Sequence, residues 1–397
     1  MCRFLTTVPD EIRAIMDGGA KEGTGRRHIG IPPSPGRCLT REMDAKIRER
    51  YSRQILFAEI GEEGQERLRA SSAVVVGCGA LGTAAANLLV RAGVGRLRIV
   101  DRDFVEDSNL QRQTLFEEAD AREALPKAVA AERRLRSINS DVRVEGVVAD
   151  LAHDNAASLL GGFPLLLDGT DNFETRLLLN DYAVANGVPW IYAAVVASYG
   201  VTLVIRPGQT ACLACLLEPG PAGTAGPEAS PVLGDTSGIE PTCDTVGVLG
   251  AAAGVIASLE AAAAIRLLLG KPAPAEGQLT SCDVWTGRFQ SVRVARHADC
   301  RACARREFHY LEGRAQPHVT LCGRDSVQIH ERRRSLDLAA LGGRLAAGGG
   351  QVRQNEFLLR FRVPPYELTV FADGRAVIKG TRDPAVARSL YARYIGA

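Results

Sequence analysis

The sequence predicts a doubly wound α/β fold, in which helices cover both faces of a mostly parallel sheet. Residues 73–76 (Ala-Val-Val-Val) are short and wholly apolar, as expected of a parallel strand buried on both sides. A glycine-rich loop follows at once and opens a helical pattern over residues 81–92, and a second strand follows at residues 96–101. Strand, loop, helix and strand in this order form the first unit of such a sheet.

The alternation of helices and strands continues along the chain. Apolar and small residues predict further elements in this order: helix 125–138, strand 142–148, strand 164–168, helix 174–186, strand 188–196 and strand 201–205. This rhythm predicts a Rossmann-like sheet.

The composition changes at residue 217. Residues 217–241 are rich in Pro, Gly, Ser and Ala, which predicts a long loop, and long loops in compact domains are often functional. A helix of small residues is expected at 246–269, and a β-hairpin at 279–294 with its turn near Thr286.

Two segments flank this region. Residues 1–45 include the proline-rich stretch 32–36 and are predicted to be a disordered extension. Residues 311–397 have the pattern of a small α+β module, and their residue types indicate no chemistry. The main domain is therefore expected to span residues 46–310.

The charge balance and the apolar runs limit the classes of partner. The chain has 48 Lys and Arg residues against 46 Asp and Glu residues, so no large basic surface for nucleic acid is expected. The longest apolar stretch, 246–269, contains Glu260 and Arg266, which favours a buried helix over a membrane span. The N-terminus lacks the apolar stretch of a secretory signal, so a cytoplasmic protein with no membrane partner is predicted.

The glycine-rich loop has the spacing of a phosphate-binding turn. Gly77, Gly79 and Gly82 permit a tight turn and close approach of the backbone, and the helix that follows favours a phosphate at its N-terminus. Asp101 ends the next strand, where a carboxylate can accept hydrogen bonds from ribose hydroxyls. A nicotinamide-dependent oxidoreductase shares these features, so the loop alone leaves the function open.

Four further motifs bear on the function that the glycine loop leaves open. They are Arg-Tyr-Ser-Arg-Gln-Ile at residues 50–55, the polar segment 101–116, Leu-Pro-Lys-Ala at 125–128 and Asp-Gly-Thr-Asp-Asn at 168–172. With the glycine loop they occur in the order of the ThiF/HesA/MoeB family, the prokaryotic relatives of the ubiquitin-activating enzymes. The chain resembles this family over about residues 46–310.

The resemblance implies a role for each matching residue. Arg112 and Lys127 would contact the phosphates of ATP, with Asn109 and Gln113 shaping the same pocket. Asp171 would hold Mg²⁺ or orient the reacting groups. The remaining two are Asp103, which would support the nucleotide side of the pocket, and Arg53, which would reach into the site of the neighbouring subunit of a homodimer.

These residue types suit the reaction that the resemblance implies. A carboxylate attacks the α-phosphorus of ATP and pyrophosphate leaves, and because the nucleophile is already ionised, no general base is required. The reaction needs charge neutralisation and in-line positioning. Arginine provides a permanent charge and a planar set of donors for phosphate oxygens, and a carboxylate is a hard ligand for Mg²⁺.

The family resemblance also implies the substrate. The expected acceptor is the C-terminal glycine carboxylate of a ubiquitin-like sulfur-carrier protein that ends in Gly-Gly, with a sulfurtransferase or cysteine desulfurase as a second partner. An enzyme of the same fold that acts on a peptide or an RNA base is the first alternative. An NAD-dependent oxidoreductase and a zinc-stapled interaction protein with a decayed site are the others.

Two C-x-x-C pairs indicate a metal site. Cys212 with Cys215 and Cys300 with Cys303 can supply four thiolates, the closed tetrahedral set of a structural Zn²⁺ site. A redox pair and unpaired buried thiols are the alternatives. Two matched pairs in a chain predicted to be cytoplasmic favour zinc.

The other cysteines receive separate interpretations. Cys243 ends the long loop just before a predicted helix, where a thiol tends to be reactive, and the resemblance implies a covalent link with the carrier's C-terminus there. Cys78 is predicted to be a small packing residue and Cys282 to be buried in a strand. Cys322 is followed by Gly and Arg, a superficial match to a rhodanese cysteine, and a structural role is favoured.

Overall fold

The computed structural model describes residues 44–217, 246–271, 276–314, 321–322, 326–329, 335–349 and 351–396. Met43–Ala397 form one compact unit. The predicted disordered extension lies outside the described residues except for its last two, and Asp44 caps the first helix by accepting a hydrogen bond from the Lys46 amide at 2.8 Å. Three helices precede the sheet: α1 (Ala45–Arg50), α2 (Ser52–Ile55) and α3 (Gly61–Ala70).

The main sheet has eight strands. They are β1 (Ser72–Val76), β2 (Arg96–Asp101), β3 (Arg143–Val148), β4 (Leu166–Asp168), β5 (Trp190–Val196), β6 (Tyr199–Ile205), β7 (Gln278–Asp283) and β8 (Arg288–Arg293). Their order is β3-β2-β1-β4-β5-β6-β7-β8; the first five strands in this order are parallel, and β6 to β8 add on antiparallel. The predicted doubly wound α/β sheet and the predicted hairpin are confirmed.

Helices cover both faces of this sheet. They are α4 (Ala80–Ala92), α5 (Glu118–Glu123), α6 (Lys127–Ile138), α7 (Ala156–Leu160), α8 (Phe173–Asn186), α9 (Leu213–Leu217) and α10 (Gly250–Leu268). Strand β1 shows why both faces are apolar: Val75 packs into the cluster with α4, α6 and α10, whereas Val74 and Val76 pack into the cluster with α7 and α8. An uninterrupted apolar strand is what burial on both faces requires.

Glycines allow the turns after β1 and β4 to touch. Gly77 has a φ of +89°, and a Cβ there would lie 2.5 Å from the carbonyl carbon and oxygen of Gly169. A Cβ at Gly82 would lie 1.9 Å from the Gly77 carbonyl oxygen, and one at Gly169 would lie 2.3 Å from the same oxygen. Side chains at these positions would therefore force the two turns apart.

Helix α10 is long and apolar enough to meet the minimum for crossing a membrane, but one such helix is weak evidence, because core helices have the same length and composition. It packs against α4 and β5, and Glu260 near its middle is fully buried. Helix α10 begins at Gly250, four residues later than the sequence predicted, because the extended residues before it pair with Ala197.

The C-terminal residues form a second, antiparallel sheet. Its strands are β9 (Leu321–Cys322), β10 (Ser326–Ile329), β11 (Gln351–Gln354), β12 (Leu358–Val363), β13 (Tyr366–Phe371) and β14 (Ala376–Lys379), in the order β11-β12-β13-β14-β10-β9. Helices α11 (Leu338–Ala347) and α12 (Pro384–Tyr394) pack on it around a core that includes Val327, Phe361 and Leu368. The predicted α+β character of this module, called the C-terminal module below, is confirmed; its boundary at residue 311 stays a prediction.

Candidate active site

The glycine loop is tied to the carboxylate of Asp101. The amide of Cys78 donates to Asp101 Oδ2 at 2.5 Å, and the amide of Asp103 donates to Oδ1 at 2.7 Å. Burial raises the pKa of Asp101, and the neighbouring Asp103 charge acts in the same direction, while Lys127 and the two amide bonds oppose them. Asp101 therefore stands at the end of β2, where the sequence predicted it, and it fixes the loop that follows β1.

Helix α4 begins at the end of the glycine loop without a side-chain cap. Gly79, which precedes its first residue, has no side chain, and a Cβ built there would lie 3.8 Å from the Gly169 carbonyl oxygen and 3.9 Å from Gln113 Nε2. The buried Oε1 of Gln113 has no hydrogen-bond partner among the described residues. An uncapped helix N-terminus beside an unpaired amide oxygen suits a phosphate-bearing ligand with hydroxyl or amino donors.

Lys127 is the buried cation of the site. It begins α6, is 8% exposed and forms an ion pair with Asp103 at 3.3 Å, and its backbone amide donates to the Asp103 carbonyl at 2.8 Å. Burial disfavours the charged amine, but the carboxylates of Asp103, Asp101 and Asp171 outweigh it and hold the pKa of Lys127 above its ordinary value. Lys127 is therefore a permanent positive charge at neutral pH.

Asp103 is a permanent negative charge for the reciprocal reason. Although burial works in the opposite direction, Lys127, then Arg102 and Arg375, lower the pKa of Asp103 to about 2. Its side chain is half exposed, so solvent screens part of this effect. Asp103 is therefore the ionised partner that compensates the charge of Lys127.

The segment after β2 turns through a short 3₁₀ helix, Asp107–Asn109. Asn109 is buried and its Oδ1 accepts a hydrogen bond from the Glu106 amide at 2.9 Å, so the structure shows it as a cap. Arg112 Nη1 donates to the carbonyl of Ser108 at 2.7 Å. Arg112 also lies beside Gly250, since a Cβ at Gly250 would be 3.5 Å from Arg112 Cβ, which brings it to the N-terminus of α10.

A buried ion pair shapes the turn after β4. Asp168 is fully buried and its Oδ2 lies 3.1 Å from Arg176 Nε, while Arg176 Nη2 donates to the Thr170 carbonyl at 2.6 Å. Thr170 donates to Asp168 Oδ1 through both its amide and its hydroxyl, at 2.9 and 2.6 Å. This closed set fixes the turn that carries the exposed Asp171, which acts electrostatically on both Lys127 and Arg176.

Most of the predicted site residues meet at the carboxyl ends of β1, β2 and β4. The strand order reverses between β1 and β4, the place where open α/β sheets bind their ligands. The residues gathered there are Gly77, Gly79, Gly82, Asp101, Asp103, Gln113, Lys127 and Asp171.

Arg53 and Cys243 are not among these residues. Arg53 is exposed on α2, and within the described part of the chain no hydrogen bond or ion pair joins it to the other site residues. Cys243 lies outside the described residues, which resume at Val246. The sequence analysis assigned no role to Asp168 and Arg176, and no spacing or motif in the sequence indicated that they pair.

The four cysteines of the C-x-x-C pairs converge as predicted. Their sulfur atoms lie within 4.8 Å of one another, with separations of 3.9 Å for Cys212–Cys215, 3.7 Å for Cys212–Cys300 and 3.4 Å for Cys215–Cys303. A tetrahedral Zn²⁺ with four thiolates at about 2.3 Å requires sulfur separations of about 3.8 Å. The donor set therefore fits zinc and leaves no coordination position for a substrate.

The cysteine cluster joins two distant segments of chain. Next to it, the buried Arg301 forms ion pairs with the buried Asp181 at 3.1 and 3.2 Å, so the segment around residue 301 is held on α8 as well. Cys78 and Cys282 are buried, as the sequence predicted.

Comparison with known proteins confirms the family resemblance. The model of the ThiF family matches residues 51–302. A "Sulfur carrier protein ThiS adenylyltransferase" of Bacillus subtilis is 45% identical over 351 residues, which cover 87% of this chain and 99% of that protein. A "Sulfur carrier protein adenylyltransferase" of Thermus thermophilus is 38% identical over 64% of this chain and 90% of its own length.

Solved structures agree on the fold. The crystal structure of E. coli MccB with ATP superposes with a TM-score of 0.53 at 23% identity, over 64% of this chain and 74% of that one. At this level of identity the likeness shows the fold alone.

We predict one zinc ion per chain, held by the four clustered cysteines. Elemental analysis of the purified protein should find about one equivalent, and replacing Cys300 or Cys215 with serine should reduce it to near zero and lower the melting temperature, because each change removes a ligand. Cys282→Ser is the matched control, since Cys282 is buried but outside the cluster. Zinc retained at one equivalent in Cys300→Ser would contradict this site.

Proposed function

Because the chain belongs to the ThiF family and is an adenylyltransferase, we propose that it adenylates the C-terminal glycine carboxylate of a ubiquitin-like sulfur-carrier protein. The products are the carrier acyl-adenylate and pyrophosphate. The observation that carries the proposal is the meeting of an uncapped helix N-terminus, the buried cation Lys127 and the carboxylate of Asp171 at the point where the strand order reverses.

The residues divide the work by charge. Asp101, at the end of β2, accepts hydrogen bonds from the ribose hydroxyls of ATP. The N-terminus of α4 faces a phosphate. Lys127 and Arg112 neutralise the charge that develops on the phosphate oxygens as pyrophosphate leaves. The attacking carboxylate is already ionised, so positioning and charge neutralisation suffice.

Asp171 supplies the oxygen ligand for Mg²⁺ in this proposal. Its carboxylate is exposed on a turn that the Asp168–Arg176 pair holds rigid, and it acts electrostatically on Lys127. A hard divalent cation prefers such an oxygen together with phosphate oxygens. When bound, Mg²⁺ would neutralise phosphate charge.

The sequence relationship supports a carrier protein over the other acceptors. The relative with 45% identity, matched over 99% of its length, is named for a sulfur-carrier substrate, whereas the MccB structures solved with MccA share only the fold at 21–23% identity. The NAD-dependent alternative explains Gly77, Gly79 and Asp101 but gives no use to Lys127 or to the cysteine cluster. A peptide or RNA acceptor is therefore an outcome that the following experiment can reveal.

We predict ATP–pyrophosphate exchange that depends on a carrier with an intact Gly-Gly terminus. With a panel of ubiquitin-like carriers, the exchange should appear with one of them and vanish when its last glycine is removed. Arg112→Ala and Lys127→Ala should each reduce the rate about 10²–10³-fold, because each removes charge stabilisation from the transition state. Arg91→Ala, an exposed arginine at the far end of α4, is the control and should leave the rate unchanged.

ATP–pyrophosphate exchange with a peptide, but with none of the carriers, would show that the acceptor is a peptide. Binding of NAD without binding of ATP would remove adenylation altogether.

We further propose that the Cys243 thiolate attacks the carrier acyl-adenylate at its carbonyl carbon, forming a thioester and releasing AMP. Mass spectrometry under non-reducing conditions should then show the chain joined to its carrier, and Cys243→Ser should lose this adduct while keeping pyrophosphate exchange. Cys38→Ser is the control with an unassigned thiol. An adduct that persists in Cys243→Ser would place the covalent link elsewhere or exclude it.

We also propose that two copies assemble and that Arg53 acts in the partner's site. Arg53→Ala and Asp171→Ala should each be inactive, and refolding them together should restore about a quarter of the wild-type activity, since half of the dimers are mixed and each mixed dimer has one intact site. A mixture that remains inactive, with dimers present by light scattering, would show that Arg53 serves its own chain's site.

A further inference from the structure

The C-terminal module touches the chain segment that leads from β2 into the nucleotide site. Phe371 at the end of β13 packs on Phe104, with ring centroids 6.5 Å apart. Lys379 at the end of β14 forms an ion pair with Glu106 at 2.5 Å. Residues 102–106 are the direct continuation of Asp101, so the module contacts a segment on which the proposed ATP contacts depend.

Arg375 is the deepest of these contacts. It is fully buried, and its Nη2 donates to the carbonyl of Arg102 at 3.0 Å. Its guanidinium lies over the ring of Phe371, 3.9 Å from the centroid, and its Nε is 3.7 Å from the Asp373 carboxylate. Burying an arginine costs free energy unless its charge is compensated, so the groups around Arg375 have to offset the cost of burying its guanidinium.

The turn that presents Arg375 is itself anchored. Tyr391 on α12 donates its hydroxyl to the carbonyl of Gly374 at 2.6 Å, and Gly374 has a φ of +87°, which fits the tight turn between β13 and β14. The fold of the module therefore fixes where the guanidinium enters the main domain.

Arg375 lies close to Asp103, because its Nη2 bonds the carbonyl of Arg102, the preceding residue. After Lys127 and Arg102 it contributes to keeping the pKa of Asp103 low, and burial lowers the pKa of Arg375 itself. In the structure Lys127 is paired with Asp103. In the proposed ATP complex Lys127 would turn toward the phosphates, and Asp103 would lose its nearest cation. Arg102, whose Nε lies 3.8 Å from the Asp103 carboxylate, and Arg375 would then remain to compensate it.

We propose that the C-terminal module is a positioning element of the ATP site and that Arg375 acts for it, by holding the Arg102 carbonyl and compensating Asp103 so that Lys127 is free to bind ATP. The proposal rests on the proposed ATP site and adds a role for the C-terminal module. At least part of the module is matched in the Bacillus subtilis relative, because the 351 matched residues exceed the 310 residues that precede the module.

The test is direct ATP binding to full-length protein by calorimetry, without any carrier, followed by steady-state exchange. Arg375→Met should weaken ATP binding roughly ten- to hundredfold, the effect of losing a hydrogen bond to a charged group. The KM for ATP should rise with it, while the KM for the carrier stays unchanged. Arg375→Lys keeps a buried cation and one donor and should fall between Arg375→Met and the wild type.

Arg344→Met is the matched control within the module. Arg344 on α11 also donates to main-chain carbonyls, those of Tyr394 and Ile395 at 3.4 and 3.3 Å, but these lie inside the module. It should leave the dissociation constant for ATP unchanged. If a variant, Arg375→Met or Arg344→Met, simply contained less folded protein, its active fraction and apparent kcat would fall. Its dissociation constant for ATP would stay the same.

Unchanged ATP affinity in folded Arg375→Met, or an equal loss in Arg344→Met, would overturn the proposal. If Arg375→Met does not fold, Lys379→Met takes its place, because it breaks the partly exposed ion pair with Glu106. Lys379→Met should weaken ATP binding a few-fold. Unchanged ATP affinity in this variant would also overturn the proposal. Wild-type protein that binds no ATP would instead contradict the proposed function, whereas wild type that binds ATP but activates no carrier leaves this test intact.

Discussion

The carboxylate of Asp101 is the point on which the geometry of the site depends. One of its oxygens holds the glycine loop through the Cys78 amide, and the other holds the next segment through the Asp103 amide. The turn after β1 and the segment after β2 therefore share one buried acceptor. Since Asp103 in turn pairs with Lys127, a shift of this carboxylate would move the loop, the cation and the cation's partner together.

Two buried ion pairs fix other parts of the main domain. Asp168 with Arg176 fixes the turn of Asp171, and Asp181 with Arg301 holds the cysteine segment on α8. Such pairs contribute little net stability, because desolvation offsets their attraction, but removing one partner leaves a buried charge and costs about 3–5 kcal/mol. Their value here is geometric, since each fixes one arrangement of its turn.

Periodicity and motif order predicted the parallel strands, the glycine loop and the cysteine cluster, since these depend on local pattern or on paired spacing. The Asp168–Arg176 pair has no comparable pattern, because an arginine near the start of a helix is equally consistent with solvent exposure. The Arg375 contact depends on how the two sheets pack against each other, which no sequence spacing predicts. For Asn109 the resemblance implies that it shapes the ATP pocket, which stays a prediction; the structure adds that its Oδ1 caps a 3₁₀ turn.

The charges of the site explain why a separate module would be joined to an adenylating fold. A nucleotide triphosphate brings several negative charges, so the site needs cations, yet before the nucleotide arrives a buried cation needs a partner of its own. Lys127 has Asp103 for this purpose. Transfer of Lys127 to the phosphates would then remove the nearest cation from Asp103, and this cost would lower the affinity for ATP. Arg102 stands close to Asp103 within the main domain, and Arg375 adds a second positive charge from outside it. Under this proposal the module needs no contact with the nucleotide, because it would act by lowering the free-energy cost of releasing Lys127 from Asp103.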